Sequence, residues 1–293
     1  MPSITTTQGK VHYEVLGRGQ PVVLLHGWLG SWGLWQETMQ NLGSQYRSYA
    51  LDFWGFGDSG KRRASYSVTD FSQLVVDFMD SLGIARAPLV GHSMGGTVGL
   101  LTAINFPERI SKVTVIGSPI IGKSLALLLK LAGCRPIAVL VHNMMWALKF
   151  GIRITAPRIT RDKSWPEMIS NDLSRTTLDS FLQSIASLHQ TDLRPMLDRI
   201  NIPVMGMYGI RDVIVDPDQW IPLSAGIPHA QIRRFKHAGH FIMLDEKDKY
   251  LEILKVFLDL PGIPAFRATE CFKSYRLNYA EDHLAGLPLH NSL

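Results

Sequence analysis

Cysteine is scarce in this 293-residue sequence, and the two present, Cys134 and Cys271, lie far apart in no paired spacing. This scarcity excludes a disulfide scaffold and a zinc or redox site of the CxxC type, and it fits a reducing compartment. The segment from Met1 to Gly19 lacks both the charged region and the apolar region of a secretory signal. We therefore expect a cytoplasmic protein.

Long apolar runs and cofactor motifs are also missing. The two most apolar stretches, Leu125 to Leu131 and Ile137 to Phe150, are interrupted by basic residues and fall short of the about 20 residues that span a bilayer. The glycine-rich run from Gly55 to Gly60 has neither the P-loop lysine nor the dinucleotide-binding spacing. No group of His, Cys or carboxylate residues has the spacing of metal ligands. We expect no cofactor and no metal.

The positive charge is confined to one segment. Residues 120–163 hold eight basic residues and one acidic residue, a net charge of +7, whereas the whole chain carries +5. Proteins that bind a nucleic acid duplex usually spread Lys and Arg along a recognition helix or a basic arm, and no such motif is present. The sequence therefore predicts no nucleic-acid partner.

The order of apolar patterns predicts the fold class. Apolar residues make up 46% and charged residues 19%, as in ordinary globular proteins. Short β-rich runs alternate with helical patterns up to Ile116, and this alternation resumes at Ile202 after about eighty residues of helical pattern. Alternation of this kind predicts βαβ units and a mainly parallel sheet. We expect an α/β core formed by residues 1–119 and 199–260. Residues 120–198 are expected to form a helical cap, and residues 261–293 a tail of unknown structure.

The chemistry centres on a GxSxG motif, Gly91 to Gly95, between an apolar strand and an apolar helix. In this context the motif forms a nucleophile elbow, in which the serine occupies a sharp, strained turn with its hydroxyl exposed. The glycines let the neighbouring backbone approach without a Cβ in the way. Ser93 is therefore the candidate nucleophile.

A serine nucleophile requires a base and a group that orients the base. Two later strands, Ile202 to Tyr208 and Gln231 to Phe235, lead directly to Asp212 and His240. The chain order Ser, Asp, His is the order expected on an α/β-hydrolase scaffold. These three residues form the candidate triad.

With these motifs the sequence resembles the α/β-hydrolases of the esterase, haloperoxidase-like and carbon-carbon hydrolase group over about residues 8–260. The resemblance implies that Ser93 is the nucleophile, that His240 is the base and then the acid, and that Asp212 orients His240. It also implies an oxyanion hole formed by the backbone N–H groups of Trp28 and Met94. The matching segments are the His26–Gly27 turn, Asp52 to Gly60, Gly91 to Gly96, Gly209 to Asp212, and Gly239 to Phe241.

The same resemblance narrows the reaction. Haloalkane dehalogenases and epoxide hydrolases on this scaffold have an aspartate at the elbow, where this chain has Ser93. Acyl transfer remains, and we expect hydrolysis of carboxylic esters with a lipophilic acyl or alcohol part. A thioesterase, carbon-carbon bond hydrolase, perhydrolase or acyltransferase would have the same triad, and a non-catalytic ligand receptor is the alternative from another class.

Several other polar residues compete for these roles. His237 is a rival for the base, although only His240 has the flanking Gly239 and Phe241 of the family pattern, and Asp216 is a rival for the acid. His26 and His92 are expected to shape turns. Asp52 and Asp58 could form an acid-base pair, but the resemblance makes them residues that structure a loop.

Aromatic and apolar side chains near the predicted active edge are candidates for substrate contact. Trp28 and Trp54 either line the pocket or pack within the core. One apolar face of the cap either forms its buried core or lines an acyl tunnel, and the residues proposed for that face are Leu128, Val141, Met145, Trp146 and Phe150. The surplus of +7 could hold the cap near an anionic membrane or recognise an anionic substrate.

Overall fold

In the computed structural model, residues 2–6, 8–61, 65–125 and 145–261 are described, with residues 145–149 described by their backbone alone. Leu128 and Val141, and the predicted tail from residue 262 onward, lie outside the described residues. The division into core and cap stays a prediction.

An eight-stranded sheet forms the centre of the molecule, and its strands occur in the order β1-β2-β4-β3-β5-β6-β7-β8. The first two strands pair antiparallel, β2 is antiparallel to β4, and all the remaining neighbours are parallel. The predicted α/β fold with a mainly parallel sheet is confirmed. The strands are β1 Ser3–Thr6, β2 Gly9–Gly17, β3 Gln20–Leu25, β4 Tyr46–Leu51, β5 Ala87–His92, β6 Ile110–Ile116, β7 Val204–Gly209 and β8 Gln231–Phe235.

Helices cover the sheet, and three more α-helices occur in the described part of the interval between β6 and β7. Helices α2 and α3 pack against each other, and α3 lies on β5 and β6. We call α4, α5 and α6 the inserted helices, because they lie between two neighbouring strands of one sheet. The α-helices are α1 Gln36–Leu42, α2 Val68–Ser81, α3 Met94–Asn105, α4 Met145–Ile159, α5 Trp165–Ser174, α6 Leu178–Gln190, α7 Trp220–Gly226, α8 Ile242–Asp245 and α9 Lys247–Asp259.

Local sequence explains where these elements begin and which face they bury. Helix α2 starts at a capping box in which the Ser67 hydroxyl accepts from the Asp70 N–H and the Asp70 carboxylate accepts from the Ser67 N–H. Its apolar positions, including Phe71, Leu74 and Phe78, are fully buried. The central strand β3 is apolar from Val22 onward because helices cover both faces of a parallel sheet.

Two of the elements that are absent from the sequence prediction are β1 and α7. Strand β1 has only four residues, two of them threonines, and it is an edge strand that pairs with β2 alone. Helix α7 has seven residues with Pro222 inside, which obscures the helical pattern. Both elements are too short for periodicity to identify them.

The last helix is fixed to the sheet by a buried lysine. Lys112 on β6 donates its ammonium hydrogens to the carbonyl oxygens of Phe257, Leu258 and Leu260, at the carboxyl end of α9. A cation is favourable there because the helix dipole places partial negative charge at that end. Burial lowers the pKa of Lys112.

The parallel strands place their carboxyl ends along one edge of the sheet, where open α/β sheets bind ligands. The residues that follow β3, β5, β6, β7 and β8 therefore meet at this edge. Within the described part of the chain, no helix has the length and apolar character needed to cross a membrane.

Candidate active site

Ser93 occupies a strained turn between β5 and α3. Its φ of 51° and ψ of −121° place it in a region that residues with a side chain rarely adopt. A Cβ on Gly91 would lie 2.3 Å from the Gly95 carbonyl oxygen, and one on Gly95 would lie 2.2 Å from that of Leu25. Only glycine fits at these two positions, which explains the spacing of the motif.

Asp212 and His240 meet after the ends of β7 and β8. His240 Nδ1 and Asp212 Oδ2 are 2.7 Å apart, and the two side chains are only 4% and 2% exposed. The other carboxylate oxygen, Oδ1, accepts from the backbone N–H groups of Ile214 at 2.8 Å and Val215 at 3.0 Å. The carboxylate is therefore held at both oxygens, and it directs Nδ1–H of the ring toward itself.

His92 joins the elbow to the turn that carries His240. Its Nε2 lies 3.0 Å from the His240 carbonyl oxygen, and the two rings are 4.6 Å apart. Because a carbonyl oxygen can only accept, His92 carries its proton on Nε2. Burial, together with the neighbouring His240, holds the pKa of His92 well below its usual value. This neutral ring positions the turn, as the sequence analysis expects.

Gly117 lies directly behind the acid-base pair. The residue has φ +55°, and a Cβ there would lie 3.3 Å from His240 Nδ1 and 3.4 Å from Asp212 Oδ2. The preceding residue, Ile116, accepts a hydrogen bond from the Ser93 N–H at 2.8 Å. The end of β6 therefore contacts all three candidate triad residues.

The turn after β3 packs against the elbow. A Cβ on Gly27 would lie 2.9 Å from His92 Nδ1 and 3.1 Å from Ser93 Cβ. In the described part of the chain, neither the Trp28 N–H nor the Met94 N–H donates a hydrogen bond to a turn, loop or side chain. The Met94 N–H belongs to the first turn of α3, where a helix has no internal acceptor to offer.

His26 supports this turn and is neutral. Its Nδ1 donates to the Gly27 carbonyl oxygen at 2.7 Å, and its Nε2 accepts from the Phe53 N–H at 3.0 Å. Burial lowers the pKa of His26 to about 4. Both ring nitrogens are occupied by backbone groups, so the ring connects two loops.

The two rival residues lie apart from this cluster. His237 is exposed, and its backbone N–H donates to Glu246. Asp216 is also exposed, and its carboxylate accepts from the Asp218 N–H at the start of a short 3-10 helix. The geometry favours Asp212 and His240 over both.

Asp52 organises the loop after β4. Its two carboxylate oxygens accept from the backbone N–H groups of Trp32 at 2.7 Å and Asp58 at 2.9 Å. Burial raises the pKa of Asp52 to about 7. A Cβ on Gly57 would lie 2.2 Å from the Asp52 carboxylate, so this glycine lets the loop close around it.

Asp52 and Asp58 also belong to the one group of described residues close enough to hold a metal ion. Ligand atoms of His12, Asp52 and Asp58 lie within 4.8 Å of one another. The Asp52 oxygens already accept backbone hydrogen bonds, and Asp58 forms an ion pair with Arg175 at 2.9 Å. These partners give the two carboxylates a role in loop structure.

The predicted substrate-contact residues have different surroundings. Trp28 is partly buried, its Nε1–H donates to the Phe181 carbonyl oxygen at 3.2 Å, and the two rings are 4.7 Å apart. Trp54 is fully buried with its indole against Gly9, which favours packing over pocket lining. Phe150 is 63% exposed, more than a side chain inside a tunnel would be, and its place in an acyl tunnel stays a prediction. Val141 and the side chains of Met145 and Trp146 lie outside the part of the chain that the structure describes.

Contacts from the inserted helices are what the sequence analysis missed. Phe181 on α6 lies beside Trp28, and Trp165 on α5 lies 5.1 Å from Phe241, the residue after His240. Both side chains belong to amphipathic helices, and an inward-facing aromatic there is the available sequence signal. Nothing in that pattern shows which core residue each one meets.

Comparison with known proteins gives matches of one fold. A family model described as the alpha/beta hydrolase fold matches residues 20–132. The pimeloyl-[acyl-carrier protein] methyl ester esterase of Vibrio campbellii is 26% identical over 82% of this chain and 95% of its own length. The 2-hydroxy-6-oxo-6-phenylhexa-2,4-dienoate hydrolase of Comamonas testosteroni is 28% identical over 85% of this chain and 91% of its own. The enol-lactonase structure from Burkholderia xenovorans superimposes with a TM-score of 0.77 at 22% identity, over 88% of this chain and 99% of that one.

Proposed function

Since the chain is an enzyme with the α/β-hydrolase fold, we propose that it hydrolyses carboxylic esters with a lipophilic part through Ser93, His240 and Asp212. The observation that carries the proposal is the buried hydrogen bond between His240 Nδ1 and Asp212 Oδ2, together with a strained serine elbow whose preceding residue, His92, has its ring 4.6 Å from that of His240. With Nδ1–H directed to the carboxylate, Nε2 is the ring nitrogen free to take a proton. A histidine held in this tautomer is what a serine nucleophile needs.

In the first half of the reaction, Ser93 Oγ attacks the ester carbonyl carbon and His240 Nε2 takes the hydroxyl proton. The Trp28 and Met94 N–H groups then stabilise the negative charge on the carbonyl oxygen. Each donor of this kind is typically worth about 3 kcal/mol. This role is supported by the packing of Gly27 against Ser93 and by the absence of another acceptor for these two N–H groups in the described part of the chain.

In the second half, the tetrahedral intermediate collapses and His240 gives its proton to the departing alcohol, leaving an acyl group on Ser93. Water then attacks the acyl carbon, with His240 again taking the proton. The bond between the acyl carbon and Ser93 Oγ breaks, His240 returns the proton to Oγ, and the acid is released. Asp212 stabilises the imidazolium through its hydrogen bond to Nδ1, while two backbone N–H groups hold its other carboxylate oxygen.

A lipophilic substrate is supported by the aromatic side chains around the site. The ring of Trp28, whose backbone N–H is proposed for the oxyanion hole, contacts that of Phe181, and the ring of Phe241, the residue after His240, contacts that of Trp165. The relatives are named for a methyl ester esterase and for a dienoate hydrolase. Carbon-carbon bond hydrolysis by the same triad is therefore the second candidate.

The proposal includes the inserted helices as a cap over the site and a peripheral membrane contact through α4. Phe150 and Ile154 are 63% and 57% exposed, and their spacing of four residues places them on one face of the helix. Arg153 and Arg158 on the same helix are exposed as well. Basic residues beside exposed apolar ones suit an anionic lipid surface. We place the protein in the cytoplasm, as its sparse cysteines favour.

The first experiment measures hydrolysis of p-nitrophenyl esters of increasing acyl length by wild type, Ser93→Ala and Ser224→Ala. Ser224 is a partly buried serine on α7 whose hydroxyl donates to the Ile221 carbonyl oxygen, and it provides a matched control. We expect kcat/KM to rise from acetyl to longer acyl groups, Ser93→Ala to lose at least about 10,000-fold, and Ser224→Ala to match wild type. A fluorophosphonate probe should label Ser93 alone.

Each outcome has a defined meaning. Labelling that persists in Ser93→Ala would refute the nucleophile, and a preference for acetyl esters would remove the lipophilic pocket. Turnover of a 2-hydroxy-6-oxo-dienoate, without turnover of any ester, favours the carbon-carbon bond hydrolase. Saturable ligand binding without any turnover favours the receptor.

The membrane contact has its own test. Wild type should sediment with vesicles rich in phosphatidylserine, less so at high salt, and the reversals Arg153→Glu and Arg158→Glu should weaken this binding. Vesicle binding that is absent, or unchanged by the reversals, would remove the proposed contact without affecting the triad.

A further inference from the structure

Asp245, the last residue of the single-turn helix α8, connects the turn that carries His240 to the inserted helices. Its Oδ2 accepts from the Gly239 N–H at 2.8 Å, one residue before His240. Its Oδ1 accepts from the Thr160 hydroxyl and the Arg161 N–H, both at 2.7 Å, where α4 ends. One carboxylate therefore bridges two segments about eighty residues apart in sequence.

The other side of Gly239 rests on the same helix end. A Cβ on Gly239 would lie 2.5 Å from the Ile159 carbonyl oxygen and 3.6 Å from Asp245 Oδ2. The backbone at Gly239 is therefore confined between the end of α4 and the Asp245 carboxylate. Thr160 is itself 4% exposed, so its hydrogen bond to Asp245 is shielded from competing water.

A carboxylate suits this position because all three groups that face it are donors. Each of its oxygens accepts at least one hydrogen bond, whereas an amide would direct its NH₂ group toward a donor on one side. The aromatic contacts between Trp165, Phe241 and His92 follow the same route from the inserted helices to the elbow. Thus, the position of His240 depends on how α4 and α5 are seated.

We propose that Asp245 is a positioning residue that holds the His240 turn in its working geometry and makes that geometry depend on the seating of the inserted helices. The inference rests on the proposed function insofar as His240 is the base. It adds that the position of His240 depends on a contact with the inserted helices, which the three triad residues alone do not provide. When α4 moves away from Asp245, the Gly239 backbone loses its packing surface and the His240 ring loses its alignment.

The test compares Asp245→Asn and Thr160→Val, alone and combined, with Asp248→Asn as control. Asp248 is an exposed acid in the first turn of α9, three residues from Asp245. Both test variants preserve side-chain size, so they keep the test open where Asp245→Ala fails to fold. The measurements are kcat and KM on a p-nitrophenyl ester and the downfield proton resonance of His240 Nδ1–H with its pH titration.

We expect Asp245→Asn to lower kcat by about 10- to 100-fold with KM changed by less than about threefold, since a misplaced base slows chemistry more than binding. Thr160→Val should lower kcat less, and the double variant should be no worse than Asp245→Asn, because both changes break one connection. The Nδ1–H resonance should shift or broaden in both, and Asp248→Asn should match wild type.

Wild-type kcat and an unchanged Nδ1–H resonance in Asp245→Asn would overturn the inference. So would a loss confined to thermal stability, or fully additive effects of the two substitutions. Failure of the proposed function is recognised separately, since Ser93→Ala would then stay active while the resonance still reports whether Asp245 positions His240.

Discussion

The carboxyl edge of the sheet and the inserted helices are held in place by different kinds of contact. At the edge, backbone groups and glycines set the positions of Ser93, Asp212 and His240. The inserted helices reach the core largely through side chains, among them the Ser180 hydroxyl on the Gly55 carbonyl oxygen and the Arg175 ion pair with Asp58.

Because of this difference, the two regions should tolerate amino-acid substitutions to different extents. Backbone contacts at strand ends survive most substitutions, so the geometry of the chemistry is robust. Side-chain contacts are lost one at a time, so most of the inserted helices can vary while the edge stays intact, and the exception is the end of α4, which Asp245 ties to the His240 turn.

The largest effect is expected at the edge, from Asp212→Asn. The amide would favour the wrong tautomer of His240, and kcat should fall by about 10,000-fold while the fold is retained. Asp216→Asn, which alters an exposed carboxylate four residues later, should change kcat by less than about threefold. The measurement is kcat from steady-state kinetics of both variants, with circular dichroism to check that they are folded. A larger loss of kcat in Asp216→Asn than in Asp212→Asn would show that Asp216 is the acid.

The next effect concerns the pH dependence of stability at the same edge. The pKa of His26 is lowered to about 4 in the folded state, so between that value and 6.5 the unfolded chain binds more protons than the folded one. His26 therefore contributes about 3 kcal/mol to the free energy of unfolding above pH 6.5, and this contribution is lost as the pH falls toward 4.

The measurement is urea unfolding of wild type and His26→Gln between pH 4 and pH 7. The variant should be less stable at pH 7, and the gap in free energy of unfolding should narrow as the pH falls. Asp52 has the opposite sign, because its raised pKa removes stability as the pH rises, but it is present in both proteins and cancels in the difference. Parallel curves would show that His26 is not buried neutral.

The smallest effect is expected on the side of the inserted helices, from Arg175→Ala. Arg175 and Asp58 are 45% and 35% exposed, so solvent screens their ion pair and its loss should cost about 0.5 kcal/mol. The free energy of unfolding and kcat on a short ester, measured at low and high salt, should differ from wild type by little. A loss of kcat as large as that of Asp212→Asn would abolish the contrast between the two regions.

Sequence patterns identified most of the sheet. The bounds of β8 coincide with the predicted strand Gln231 to Phe235. The parallel arrangement follows from the alternation, and the elbow follows from a GxSxG motif between a strand and a helix. These features are local, since hydrophobic periodicity and turn chemistry act over a few residues.

The α/β class follows from the sequence alone, and so does the order of Ser93, Asp212 and His240 at the ends of strands. Other contacts are visible in the tertiary structure alone. Gly117 lies behind His240 and Asp212, and His92 donates to the His240 carbonyl oxygen. Asp245 accepts from the Thr160 hydroxyl. The reason is physical: these contacts join residues far apart in the chain, and they depend on how the sheet and helices pack, which no local spacing records.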